Sequence, residues 1–519
     1  MTQVFQNIMA SEVCPEEWKS STTLPFFKGK GDPLDCSKYR GVRLLEHGMK
    51  VWEKILEGRL KEIISISNNQ FGFSQGKSTT DAIFILRQLQ HKYTEKKKKL
   101  YHIFVDLEKA FDRVPRRALV WALRRQLVPE KLIRLVMALY RDSKSCVTAA
   151  DGTSASFDIT VGVHQGSTLS PLLFNLVLEE ATKECSDGVP WDMLYADDLV
   201  LTGESKEEVL ERFSRWKSAM ESKGLKINIG KTKILITGKE RETIVCSGEF
   251  PCGVCGRGVG QNSLTCAECN KWIHKRCSGL QSVTGPGARD FVCSTCRRRE
   301  QGNVPQPEDI PVGPSESDVV EEVESFCYLG SIVDRQGDVE RAVRSRVATA
   351  WSKWREIAGL LCNRRIPLRN RSQVYTTCIR SVLLYGAESW PLTQRMENCI
   401  RSCDRRMLRL LSGVSLRERV RSAEVAQRCG LVEILDEARV RRLKWFGHVQ
   451  RREEGEALSV IRNLQVEGRR PRGRPKKSWL RTVEDDMTLM GIDVHLASDR
   501  QGWREAIERP TPRSGNSRR

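Results

Sequence analysis

No stretch of the 519-residue sequence stays apolar for the roughly 18 positions that a membrane-spanning helix needs. The first segment, MTQVFQNIMASEVCPEEWKSS, lacks the basic and then apolar pattern of an export signal. Both absences point to an intracellular chain with no membrane partner. Acid is in short supply: 66 Asp and Glu face 86 Lys and Arg, a net charge of +20, so a polyanionic partner is expected. No internal repeat is visible, which sets solenoid arrays aside. Pairing order is missing from the 18 cysteines: seven fall between Cys252 and Cys296 and eleven are scattered, so a disulfide scaffold is excluded and local metal binding is favoured. What the chain has is length and 39% hydrophobic content, enough for about two to four domains.

Periodicity divides the chain. MKVWEKILEGRLKEIIS and STTDAIFILRQLQHKYTEKKKK predict helices, the second behind a Ser/Thr cap. LYHIFVDLEKAF begins as a strand, helical pattern returns in RRALVWALRRQL and EKLIRLVMALYRD, and KINIGKTKILITG alternates like a strand. Helices interleaved with hairpin strands imply an α+β architecture. Residues 247–298 are Cys/Gly-rich, residues 299–318 are a Pro/Ser/acidic linker, and the rest is largely helical and Arg-rich. In MENCIRSCDRRMLRLL, Ile400, Cys403, Met407 and Leu410 are expected to share one helix face.

LYADDLVLTG places two aspartates at the bend between two apolar runs, where like charges repel. A cation between them resolves this: Mg²⁺ takes hard oxygen ligands and keeps substrate phosphates in its shell. Asp106, ending YHIFVD, supplies a third carboxylate; turn-forming Asp197 and Asp198 with Asp106 as a helix cap is the alternative.

FVDLEKAF, GVHQGSTLSPLLFN, YADD and LKINIGKTK, in this order, resemble the palm motifs of reverse transcriptases from non-LTR retrotransposons, closest to RTE-type elements. CSKYRGVRLLEHGMKVWEKILEGRL and NQFGFSQGKSTTDAI resemble that family's finger motifs, and FCYLGSIV its primer-gripping strand pair. The resemblance implies a right-hand polymerase: fingers 1–100, palm 101–246, a primer-grip-like palm return at 319–335, a helical thumb and C-terminal region 336–465, and a basic tail 466–519. It implies RNA-directed DNA polymerase activity on an RNA template, a DNA primer or target and dNTPs, in the nucleus, with Asp106 and Asp197 holding two Mg²⁺ ions supported by Asp198. Phe111 would be the gate against a ribose 2′-hydroxyl, Gln165 and Gly166 the loop beside the templating base, and Lys231, with Lys233 as rival, the pyrophosphate acid. Arg40 and Lys28 would be finger cations on the triphosphate, although YRGVRLL departs from the commoner YRPISLL. The chain begins inside the fingers and carries no apurinic-type endonuclease domain, so a truncated copy is expected; a noncatalytic chromatin or nucleic-acid binder is the rival reading.

The cysteine cluster supplies eight soft ligands in four pairs, enough to close two tetrahedral structural Zn²⁺ sites. It resembles a PHD finger inserted in the polymerase, which implies Cys252, Cys255, His274 and Cys277 at one ion and Cys266, Cys269, Cys293 and Cys296 at the other. Ends lying close together are expected for such an insertion. PHD fingers commonly read histone H3 tails; Trp272 could form one cage wall, but Pro251 and Ser263 occupy positions where aromatics are expected. RRPRGRPKK resembles an AT-hook, with nonspecific phosphate binding as the plainer reading. Trp445 and Phe446 would either stack on bases or lie in a helical core.

Overall fold

The computed structural model describes residues 1–29, 31–238, 263–266, 272–278, 291–292, 310–311, 319–470, 472–473 and 475–508. Helix α1 (Thr2–Ser11) precedes the hairpin of β1 (Ser20–Phe27) and β2 (Tyr39–Leu44), followed by α2 (His47–Lys61) and α3 (Thr79–Glu95). Then come β3 (Leu100–Val105), α4 (Ala110–Arg113), α5 (Arg116–Arg125), α6 (Glu130–Ala138), β4 (Lys144–Ala149), β5 (Gly152–Thr153) and β6 (Phe157–Asp158). Helix α7 (Ser170–Thr182), the hairpin of β7 (Asp192–Tyr195) and β8 (Asp198–Gly203), α8 (Lys206–Ser222) and β9 (Lys233–Thr237) complete the first half. Among the described residues, no helix is long and apolar enough to cross a membrane.

Two sheets organise this half. In the first, β1 pairs antiparallel with β2 and parallel with β4, so residues 144–158, which the sequence groups with β3 and β7–β9, join the sheet of β1 and β2. In the second, β3 lies between β8 and β9, with β7 beyond β8 and Val319–Glu322 beyond β9. Strand β3 is apolar on both faces because both are covered. Ile103 and Val105 enter a core with Leu119, Leu173, Phe213 and Trp216 from α5, α7 and α8, while Leu100 and Phe104 enter a second core with Phe84, Leu86 and Leu89 of α3. The predicted cap of α3 is a capping box between Ser78 and Asp81, satisfying backbone donors that the helix leaves unpaired.

Strand Val319–Glu322 returns to the palm parallel to β9, Glu321 opposite Lys233 and Glu322 opposite Ile234. A parallel pair requires a crossover connection. The ends of the 247–298 segment, expected close together, lie outside the described residues. The hairpin Ser325–Tyr328 and Ser331–Asp334 follows, and Phe326 stacks on Phe104 of β3 at 4.2 Å.

The Arg-rich second half is helical, with its own core around Trp354, Tyr375, Trp390, Ile400 and Met407. Leu410, expected on that face, is 47% exposed, and Leu411 is buried instead. The 3.6-residue period has drifted past the assumed 3.5-residue spacing. Residues 466–519 are more than a tail: Trp479–Met490 and Arg500–Glu508 are helices. Trp479 packs edge-on against Phe84 at 4.6 Å, and Trp503 Nε1 donates to Leu443 O at 2.9 Å. Trp445 and Phe446 are buried in the same core, which decides between their two readings.

Candidate active site

Asp106 directly follows β3, and the pairs Val105↔Leu199 and Tyr195↔Asp198 bring it to the sheet edge where β7 turns into β8. Ala196 takes a left-handed φ of 55° at that turn, a conformation costing a non-glycine residue about 1 kcal/mol. The segment before α3 holds it there. Leu194 N donates to Asn69 O at 2.9 Å and Phe71 N to Leu194 O at 2.7 Å, while Gln70 Oε1 accepts from Ala196 N at 3.1 Å and Gly72 N at 2.8 Å. Gly72 presses so closely on the turn that an added Cβ would lie 2.3 Å from Ala196 N.

The carboxylates feel one another. Burial, then the charges of Asp197 and Asp106, push Asp198 up to about 6, with Arg40 opposing. Burial and Asp106 likewise raise Asp197, and Arg40 again opposes. Both residues present surface to solvent, but they sit at the wall of a cleft where protein displaces much of the water around them. Asp106 Oδ2 lies 3.4 Å from Lys231 Nζ, whereas Lys233 is engaged 2.7 Å from Glu321 Oε2. That difference favours Lys231 over its rival. A cleft of about 430 Å³ opens beside Asp106, Asp198 and Lys231, walled by Phe326 and Tyr328 of the hairpin after the insertion. Mutually repelling carboxylates with one weak cationic offset are the donor chemistry that a hard divalent ion satisfies. Among the described residues, no three acidic, His or Cys side chains are already drawn in to ligating distance, so the carboxylates converge without forming a closed cage.

Residues 28–331, more than half of the chain, match the family described as reverse transcriptase (RNA-dependent DNA polymerase). The chain belongs to that family. It is 28% identical over 250 residues to the retrovirus-related Pol polyprotein from type-1 retrotransposable element R2 of Nasonia vitripennis, covering 46% of this chain and 24% of that protein. Over 424 residues it is 23% identical to the probable RNA-directed DNA polymerase from transposon BS of Drosophila melanogaster, covering 79% of this chain and 40% of that protein. The chain thus spans a quarter to two fifths of these relatives. A telomerase structure from Candida albicans aligns over 89% of this chain and 68% of its own at 11% identity, but its TM-score of 0.34 carries no argument.

Of the other candidate residues of this reverse transcriptase chain, only Arg40 has a described interaction with the carboxylates. Phe111 is half-buried and stacks on Phe174 at 4.5 Å, and its carbonyl accepts from Val163 N at 2.8 Å. Gln165 Nε2 donates to Asp112 Oδ1 at 2.8 Å, and Gln165 O accepts from Arg43 N at 3.0 Å. Gly166 has φ 110° and would place a Cβ 2.7 Å from Arg43 O, so only glycine fits this contact between palm loop and fingers. Arg40 is exposed and within electrostatic reach of Asp197 and Asp198. Lys28 stands beyond β1, its N–H donating to Lys38 O at 2.8 Å.

Cys252, Cys255, Cys269, Cys293 and Cys296 lie outside the described residues, as do the side chains of His274 and Trp272. Cys266 is buried and Cys277 half-buried beside the small hairpin Ser263–Thr265 and Trp272–His274. The sequence reading missed Gln70 and Gly72, which it assigned to a finger motif. Their contact with the turn spans 126 positions, and the only local signal was a polar residue and a glycine flanking Phe71 in NQFGF.

Proposed function

We propose that the chain is an RNA-directed DNA polymerase of a non-LTR retroelement of RTE type, acting on target DNA in the nucleus. The observation that carries this reading is the convergence of Asp106 with Asp197 and Asp198 on one sheet edge, in a chain of the reverse transcriptase family. These carboxylates would hold two Mg²⁺ ions, which, when bound, activate a primer 3′-hydroxyl and neutralise the triphosphate. Lys231, 3.4 Å from Asp106, would hand a proton to departing pyrophosphate. Phe111, clamped against Phe174, would close the sugar pocket, and the Gln165–Gly166 backbone would seat the base pair against the fingers. Arg40 would take the triphosphate, with Lys28 behind it on the same hairpin.

Primer extension on an RNA template, read with Mg²⁺ present, tests the proposal. Wild type should extend, and Asp197→Ala should lose roughly a thousandfold in rate, the several kcal/mol that a metal ligand supplies. No Mg²⁺-dependent extension by the wild type would leave only a binding protein.

The spacing of Cys252, Cys255, Cys266, Cys269, His274, Cys277, Cys293 and Cys296 supports two structural Zn²⁺ ions in an inserted PHD-like finger. Metal analysis of the purified chain should find zinc at two per molecule, and a zinc-free folded protein would end that reading. Histone-tail binding, which would need a cage around Trp272, rests on the PHD resemblance alone.

A further inference from the structure

The largest cavity among those described lies away from the carboxylates. It holds about 1160 Å³ alongside α3 and is lined by the C-terminal turns of that helix, including His91, Lys92 and Glu95. Strand β3 starts just after those turns and ends at Asp106, with Tyr101 opposite Gly203 and Leu100 opposite Thr237 at the near end. The cavity runs along α3 from Glu95 back to Phe84, and none of the three aspartates lines it.

Charge in the cavity is one-sided. Six cations, Lys92, Arg462, Arg470, Lys476, Lys477 and Arg481, line it against Glu95 and Asp485. Arg470 pairs with Glu95 at 3.2 Å and Lys477 with Asp485 at 2.9 Å. Lys92 donates to the carbonyls of Arg462 and Leu464, and Arg462 to those of Val449 and Gln450, so these two build the wall. Lys476 and Arg481 remain, both exposed and without a carboxylate partner among the described residues. Positive potential reaches further in: His91 is held below its ordinary value first by burial and then by Arg470, Lys92 and Lys476, with Glu95 opposing. Thr393 and Ser478, the N-caps of the helices Gln394–Ser412 and Trp479–Met490, also line the cavity, adding the positive ends of two helix dipoles.

Apolar surface lies beside the charge. Phe84, Val449, Trp479 and Leu480 contribute to the lining, and Leu480 is 49% exposed. Unpaired cations over an apolar floor match a sugar-phosphate strand with its bases, the pattern of single-strand grooves, better than a free phosphate.

We propose that this cavity is a second nucleic-acid site, holding the phosphodiester backbone of a single strand while a primer occupies the catalytic edge. It is separate from the polymerase reading, because binding here needs none of the three aspartates.

The test uses the full chain, with oligothymidylate and oligouridylate of about a dozen nucleotides as probes. Affinity is measured across salt concentrations on an Asp197→Ala background, so that loss of catalysis and loss of this site are read separately. Adding Lys476→Gln and Arg481→Gln should weaken binding on the order of tenfold and reduce the slope of log affinity against log salt by roughly 1.4, two contacts at about 0.7 each. Lys476 should be shielded from acetylation by the bound oligomer. The same two substitutions in the active chain should leave extension of saturating primer–template unchanged. Unchanged affinity and slope, Lys476 acetylated equally with and without oligomer, or an equal loss of extension would overturn the proposal. A free-phosphate site would show instead as binding of inorganic phosphate that the oligomers fail to displace, which also overturns it. Preference between the two probes tells whether DNA or RNA is the occupant.

Discussion

Asp198 carries the electrostatic cost of the catalytic edge. Its ordinary value of 3.8 is pushed up to about 6 by burial and its two neighbours, so between about pH 4 and 6 the folded chain keeps a proton that the unfolded chain releases. In metal-free buffer, stability should fall as pH rises through that window. Asp198→Asn should reduce the fall, the raised Asp197 keeping part of it, and stabilise the protein at pH 7 by at most about 1 kcal/mol once solvent screening is allowed for, while abolishing extension. Thermal melts at several pH values check this, and an unchanged pH profile would show that the carboxylate is not raised. Phe111 offers a second residue-scale test. Its ring is fixed by Phe174 at 4.5 Å, so Phe111→Ala should relax discrimination against ribonucleotides on the order of tenfold or more. Kinetics with paired dNTP and rNTP substrates would expose a ring that merely packs, because the ratio would then stay put.

Among the elements, the β7–β8 turn depends on a segment more than a hundred residues earlier in the chain. Gln70 accepts from Ala196 N, and Asn175 Nδ2 of α7 donates to Gly72 O at 2.8 Å, so α7 holds the segment that holds the turn. A methyl group at Gly72 must push the turn outward, because its contact atom is backbone nitrogen at 2.3 Å. Gly72→Ala should therefore cost roughly a hundredfold in extension, the scale of an ångström of misplacement, with little loss of helical circular dichroism. Full activity in that variant would mean that the turn is not held as described.

On the scale of the whole molecule, the palm runs without interruption into the C-terminal helices. Phe104 stacks on Phe326, and Phe84 touches both Trp445 and Trp479, so one core joins β3, α3 and the last helices. The described chain runs unbroken from residue 31 to Gly238, after β9, and Ile310–Pro311 pairs with Val319–Glu322 beside that strand. If the cysteine-rich segment holds zinc as proposed, stripping the metal with a selective chelator should unfold that segment and leave the main melting transition in place. A single transition that shifts with zinc removal would show that insertion and palm fold as one unit.

The sequence by itself determined the α+β class, the helices α2 and α3 with the cap at Ser78, the strand ending at Asp106 and the turn bearing Asp197 and Asp198. Each is written in local periodicity or turn chemistry, which neighbours in the chain suffice to express. Tertiary structure alone decided that residues 144–158 complete the sheet of β1 and β2, that Gln70 and Gly72 hold the turn bearing Asp197 and Asp198, and that residues 479–508 pack instead of trailing. It also decided that Val319–Glu322 pairs parallel with β9, and that cations from α3 and the last helices line one cavity. These facts depend on pairing between distant segments, whose register and closure are set by packing and not by the residues on either side.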